Sequence, residues 1–283
     1  MIGTSSNAIH FIIPVRHPDS VVDPASQALR IHQLVQSLKG QTSQNWRATF
    51  VVNPGQNLPE LSSNFDLQYV DFPANTEARD AANYSEFSRA VDLDRGRRVF
   101  AALHRVATGS LVMPTDDDDL FHRDLVSFVE SADWDGGWLI DKGYIWRSGS
   151  FFLGRMDSFH ITCGSSMIFP LDSLLPEGSN EDLDEDFFLE LGNHRTLLER
   201  LPEDSVIWKR IPFRAAIYRV GHGDSSLSRI RRDFPYRRAG QLNFTWLQSY
   251  KRRLKAKFIG HPSERIHSVL FTPRMKRAFL GAE

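Results

Sequence analysis

Four consecutive carboxylates, Asp116-Asp117-Asp118-Asp119, follow the apolar run Leu111-Val112-Met113-Pro114 and a single threonine. Adjacent acids repel one another, and burying an unpaired charge is costly enough to force its protonation. Such a run is stable either fully solvated or with a cation among the carboxylates. Oxygen ligands select hard divalent ions, and Mg commonly takes one or two carboxylates while substrate phosphates complete its shell. The plainer alternative is a solvated acidic turn in which Asp119 caps a helix starting at Phe121.

Two histidines extend the chemistry. His222 stands between Gly221 and Gly223, a context that suits a loop ligand better than a core side chain. An imidazole beside carboxylate and phosphate oxygens favours Mn over Mg. His194 opens a short helical pattern, and an imidazole with an ordinary pKa of about 6.5 suits a proton acceptor. Asp182, Asp184, Glu185 and Asp186 lie just upstream and offer the same role.

The elements that would position these groups alternate strand and helix. His10-Phe11-Ile12-Ile13-Pro14-Val15 is a compact apolar run, expected as a central first strand. Asp23-Pro24 supplies an N-cap with proline at the first helical position; Ala28, Ile31, Leu34, Val35 and Leu38 recur at helical spacing before Gly40. Ala48 to Val52 reads as a second strand closed by the turn Asn53-Pro54-Gly55, and Leu67 to Val70 as a weaker third. A short helix is expected near Glu77–Ala90, and a separate one, marked by Val99, Ala102, Leu103 and Val106, ends at Gly109. Trp134 to Phe169 lacks helical periodicity and reads as mixed or antiparallel sheet, Asn193 to Leu201 as a short helix, and Ile211 to Val220 as a last strand. The alternation predicts an α/β fold with a mostly parallel sheet, and the acids then stand at a strand's C-terminal end, where such sheets bind ligands.

The order of these parts resembles a GT-A fold glycosyltransferase, most of all the large inverting family (family 2) that adds sugars to bacterial surface glycans. The resemblance covers roughly residues 9–228. Phe11 to Val15 matches the family's apolar strand ending in proline. Ala107-Thr108-Gly109, the following strand and Asp116 to Leu120 match its Asp-x-Asp-Asp-Leu segment. Asn193 to Leu201 matches its Glu-Asp-x-x-Leu-x-x-Arg-Leu frame, with Asn193-His194 in place of the acids. Tyr218 to Ser228 matches its Tyr-Arg-x-His-x-x-Ser-x-Ser segment with one residue inserted before His222.

The resemblance implies a nucleoside-diphosphate sugar donor, most simply a UDP-sugar, and a glycan or lipid-linked acceptor. Asp118 is the expected metal carboxylate, with Asp116 touching the ribose or the metal, His222 as a further ligand, and Mn or Mg as the ion. Pro14, Val15, Arg16, Asn53, Arg97, Arg98, Asp116 and Asp117 fall where the family holds its nucleotide sugar; Asn53 replaces the aspartate that receives the uracil N–H. His194 or Asp186 would be the base. Trp134, Trp138, Trp146 and the Gly164-Ser165-Ser166 turn fall where the acceptor binds, although core packing is the commoner fate of tryptophan.

Composition bounds the rest. The 283 residues carry a net charge of −1, but residues 229–283 hold 14 Lys/Arg against 3 Asp/Glu, so an acidic body of −12 bears a basic C-terminal appendage. The expected division is a GT-A domain over 1–228 and a basic appendage over 229–283, helical around Phe244–Phe258. Such an appendage suits an anionic membrane surface; no nucleic acid is expected as a partner. No run approaches the roughly 18 apolar residues of a membrane span, and the N-terminus lacks a basic region followed by an apolar core, which reads as cytoplasmic or peripheral on the membrane's inner face. The single Cys163 reads as a small buried side chain.

Three other functions compete. A sugar nucleotidyltransferase should carry a glycine-rich phosphate loop after the first strand, where this chain has Arg16-His17-Pro18-Asp19-Ser20. An aspartyl phosphatase would place its acids on an early strand. A non-catalytic nucleotide-sugar-binding module is compatible with the loss of the acid pair to Asn193-His194.

Overall fold

The computed structural model describes residues 8–77, 83–174, 184–201, 206–222 and 268–281. Strand β1 (Ile9–Pro14) is central, as its apolar run predicts, and pairs in parallel with β2 (Trp46–Val52) on one side and β4 (Leu111–Pro114) on the other. Beyond β2 lies β3 (Phe65–Tyr69), also parallel. Beyond β4 lie the antiparallel β9 (Met167–Pro170), then β6 (Gly137–Leu139) and β10 (Trp208–Arg210), which run parallel to each other. The resulting seven-stranded sheet has one reversed strand, and the C-terminal ends of β1 to β4, β6 and β10 share one edge. A second sheet of five strands has the order β12 (Ser268–Leu270), β8 (Phe152–Asp157), β7 (Lys142–Arg147), β11 (Ala216–Val220) and β5 (Leu120–Phe121).

Alternation along β1 separates two cores. Phe11 and Ile13 face a cluster built with α1 (Pro24–Lys39), α3 (Leu125–Ser131) and the second sheet. Ile12 faces a cluster built with α2 (Tyr84–Leu103), α4 (Glu185–Gly192) and α5 (His194–Arg200). Each such side chain, fully buried, contributes roughly 1.5–3 kcal/mol. Helix α1 begins as its sequence dictates: the Asp23 carboxylate accepts from the Ser26 N–H, and Pro24 follows.

Three expectations are corrected. The helices expected near 77–90 and around 99–106 are one helix, α2, which runs unbroken through Gly96. That glycine is required by packing: a Cβ there would lie 1.8 Å from the Phe188 carbonyl oxygen, so α2 and α4 meet backbone to backbone. Asp119 caps no helix; the chain continues into β5, and α3 starts only at Leu125. The end of the expected appendage is built into the body, β12 pairing with β8 and α6 (Pro273–Leu280) packing on α1 and β5. The expected helix around Phe244–Phe258 lies outside the described residues, and so does Asp182. Among the described residues no helix is long and apolar enough to cross a membrane.

Candidate functional site

The acid run turns over the carboxyl edge of the large sheet, and each of its four side chains meets a different fate. Asp116 is clamped. Its Oδ1 accepts from Arg95 Nε at 3.0 Å, and its backbone N–H donates to Ser165 Oγ at 2.8 Å. Arg95 Nη1 also donates to the Gly192 carbonyl at 2.7 Å, tying this carboxylate to the end of α4. Asp117 accepts from Gln27 Nε2 of α1 at 3.1 Å; burial and the neighbouring Asp118 charge push its pKa up to about 6, against the pull of Arg16 and Arg30.

Asp118 meets the second sheet. Its Oδ2 lies 2.6 Å from His222 Nε2. Burial works to raise its pKa, but His222, helped by Arg219 and Arg30, holds it below the ordinary carboxylate value. Gly221 makes this meeting possible: with φ of +82° it adopts a left-handed turn directly after β11 that side-chain-bearing residues avoid.

Asp119 points inward and is fully buried. It accepts from Cys163 Sγ at 3.1 Å and from the Arg219 N–H at 3.2 Å. Burial and the Asp118 and Asp116 charges push its pKa well above the ordinary range, and burial with the Asp119 and Asp116 charges raises the Cys163 thiol too. Cys163 is thus buried as expected, and it is also a donor to the acid run.

Arg219 lies beneath the acids, 3% exposed, with Nη1 on Gln33 Oε1 at 2.6 Å and its guanidinium 4.8 Å from the centre of the Trp146 ring. Burial lowers its pKa to about 10, which still leaves it cationic at neutral pH. Arg95 and Gln27 were not singled out from the sequence, Ser165 was read only as part of an acceptor turn, and Arg219 only as part of the Tyr218–Ser228 match. Each belongs to an element whose register brings it to the acids only after folding.

The other candidates are scattered around this centre. Arg98 is fully buried: its Nε bonds both oxygens of Asp94 at 2.9 and 3.0 Å, and its Nη2 donates to Asn53 Oδ1 at 2.7 Å. Asn53 Nδ2 donates to the Phe72 carbonyl at 2.8 Å, so both ends of this amide are engaged within the fold. Arg97 is half-buried on α2. Pro14, Val15 and Arg16 lead from β1 into a cavity of about 310 Å³ whose wall includes Arg16, His17, Asn75, Glu77, Phe87 and Asp94.

His194 Nε2 lies 3.2 Å from the Ile161 carbonyl oxygen. A carbonyl only accepts, so Nε2 carries the proton. Burial and the Arg95 charge lower its pKa to about 4, leaving it neutral but weakly basic. Asp186 is exposed in the first turn of α4, whose N-cap Asp184 accepts from the Phe187 N–H. The pair Glu185-Asp186 therefore opens α4, while Asn193-His194, the pair matched to the family's acids, opens α5. Trp138 packs edge-on against Phe128, Trp134 stacks under Lys209, and Trp146 lies against Phe271 and Arg219. The Gly164–Ser166 turn supports Asp116 from below.

No protein-family profile and no curated protein sequence matches the chain. Solved structures do. One assigned as a nucleotide-diphospho-sugar transferase from Desulfovibrio desulfuricans G20 shares 11% identity over 90% of this chain and 100% of its own, with a TM-score of 0.34. The glycosyltransferase GlyE of Streptococcus pneumoniae TIGR4 shares 10% identity over 92% of this chain and 66% of its own, with a TM-score of 0.31. Its apo form gives 10% and 0.30 over 91% of this chain and 66% of its own.

Proposed function

We propose that the chain is a glycosyltransferase that takes a sugar from a nucleoside diphosphate, most simply UDP, and passes it to an acceptor hydroxyl with inversion, in the assembly of a surface glycan. The observation that carries this reading is the meeting of Asp118 and His222 at 2.6 Å on the carboxyl edge of a mostly parallel sheet.

A divalent ion, Mn or Mg, fits this pair as a two-donor site. Among the described residues no group of three or more His, Cys, Asp or Glu side chains is placed to hold a metal, and Asp116 is occupied by Arg95. The protein thus offers a carboxylate and an imidazole, and the rest of the shell falls to the donor's diphosphate. When bound, such an ion neutralises the charge that builds on the leaving diphosphate.

The chain's own residues supply the remainder. Arg219, buried beneath the acids, keeps a positive charge fixed under the site and favours ionised Asp118. The cavity beside Arg16 accommodates the nucleoside. Asp94 rather than Asn53 lines that cavity, so its carboxylate is the acceptor for the uracil N–H, held in place by Arg98. Without a glycine-rich loop after β1, a nucleotidyltransferase has no cradle for a triphosphate.

Isothermal titration with UDP, with and without Mn, tests the reading. The expected result is Mn-stimulated binding in the wild type and loss of that stimulation in Asp118→Ala. Equal Mn-dependent affinity in the two proteins would remove the assignment.

A further inference from the structure

Between α2 and the α4–α5 pair runs an open groove of about 540 Å³. Its lining mixes apolar surface, including Leu189, with the polar side chains of Tyr84, Ser88, Asp92, Asn193 and Thr196. Two charged groups at its rim are already neutralised, Arg89 by Glu185 and Glu190 by Arg200. Hydroxyls, an amide and carboxylates around one aromatic ring match a polyhydroxyl ligand far better than a lipid chain.

Asp92 is the inner carboxylate of this groove. It accepts from Asn193 Nδ2 at 2.9 Å, which holds it against the α4–α5 junction. Three residues further, about 4.5 Å along α2, Arg95 grips Asp116 at 3.0 Å. The inner end of the groove therefore adjoins the acid run. The backbone contact of α2 with α4 fixes this geometry, since a Cβ on Gly192 would lie 1.7 Å from the Asp92 carbonyl oxygen.

We propose that this groove receives a saccharide acceptor and that Asp92 takes the proton from its reacting hydroxyl. The proposal rests on the transferase reading. As the acceptor oxygen bonds to the sugar's anomeric carbon, its O–H proton passes to the Asp92 carboxylate. The bond from that carbon to the donor diphosphate breaks, and its electron pair leaves with the nucleoside diphosphate.

Asp92 suits this step better than the two candidates read from the sequence. Burial raises its pKa toward the working range of a base, with the Asp116 charge assisting and Asn193, Arg95 and Arg195 opposing. The groups facing it are Arg95 on its own helix, Arg195 on α5, Asp116 on the acid run and the Tyr84 phenol. His194 is weakly basic, and its protonated Nε2 is engaged with Ile161. Asp186 is exposed in the first turn of α4, about 9 Å along the helix axis from its C-terminal end.

The full-length protein, fluorescently labelled, is applied to an array of immobilised saccharides in the presence of UDP and Mn. We expect retention on at least one saccharide class and at least tenfold weaker retention for Thr196→Trp, an exposed position whose bulk fills the groove. UDP affinity should be unchanged in that variant. With a panel of UDP-hexoses as donors, Asp92→Asn should keep both binding activities yet transfer to the retained saccharide about 100-fold more slowly or worse. Wild-type transfer should rise with pH through a pKa above the ordinary carboxylate value, and Asp92→Asn should lack that limb. A protein that binds UDP but retains no saccharide, or retains it equally in Thr196→Trp, overturns the groove assignment. Wild-type transfer rates in Asp92→Asn, or no transfer by wild type to a saccharide it retains, overturn the proton role. Failure to bind UDP at all defeats the transferase reading, and this proposal with it.

Discussion

His222 Nε2 stands 2.6 Å from Asp118 Oδ2, although one residue follows a strand of the second sheet and the other follows a strand of the first. The contact joins the two sheets at the functional edge. His222→Ala should therefore weaken Mn-stimulated UDP binding about tenfold, equivalent to about 1.4 kcal/mol, and leave Mn-independent binding unchanged. Titration of both proteins reads this directly, and an unaltered Mn response would free His222 of any ligand role.

The Arg95 clamp makes a separate prediction. Arg95→Leu leaves the Asp116 carboxylate without its partner and the Gly192 carbonyl without a donor. Asp116 is about one-third exposed, so water screens part of the loss, and a cost on the order of 1–2 kcal/mol is expected. Urea unfolding measures it. A variant as stable as wild type would show that the clamp positions Asp116 without stabilising the fold.

Gly96→Ala should be more damaging than an ordinary glycine replacement in a helix. The added methyl meets backbone, the Phe188 carbonyl at 1.8 Å, and backbone cannot rotate away. Overpacking of this kind costs about 1–3 kcal/mol or more, against the gain of roughly 0.8–1 kcal/mol that alanine brings to an exposed helix. A lowered urea midpoint is expected; a raised one would mean that α2 and α4 are further apart than described.

Acid should destabilise the fold through His10. Its ring is buried on β1 with Nε2 2.8 Å from Thr49 Oγ1, and burial lowers its pKa from 6.5 to about 4. The folded state binds the proton more weakly than the unfolded chain. The stability it contributes is present above pH 6.5 and is lost as pH falls toward 4, on the order of 3 kcal/mol. His194 titrates over the same interval and adds to the effect. The double variant His10→Leu, Thr49→Val should flatten the fall of Tm between pH 7 and 4. An unchanged slope would place the acid sensitivity elsewhere.

The basic segment makes the last prediction. Residues 229–267, ahead of the end built into the body, hold 11 Lys/Arg against 2 Asp/Glu, and we propose that they attach the protein to an anionic membrane carrying a lipid-linked acceptor. Each charge near the surface contributes about 1 kcal/mol at most, screened within about 8–10 Å at ordinary salt. The protein should sediment with anionic liposomes at low salt, release at high salt and ignore neutral ones. Indifference to anionic liposomes at low salt would leave the segment a purely structural role.

Much of the frame was legible in the residues themselves, because apolar runs and caps act locally. Phe11 to Pro14 is the buried strand that its apolar run predicts, Asp23-Pro24 starts a helix, and the four acids follow a strand at the carboxyl edge of the sheet. Helix α2 was read as two pieces because its face toward α4 is made by close backbone approach at Gly96, and an absent side chain leaves no hydrophobic period. Apart from the meeting of Asp118 with His222, which the family resemblance implied, the fates of the four acids were not legible. Identical residues in one run became a clamped carboxylate, one held by Gln27 with its pKa raised by burial, a partner of His222 and a fully buried acid. Those differences come from Arg95, Gln27, His222 and Cys163, contributed by four separate segments, and only the packing of two sheets and three helices decides which of them each carboxylate meets.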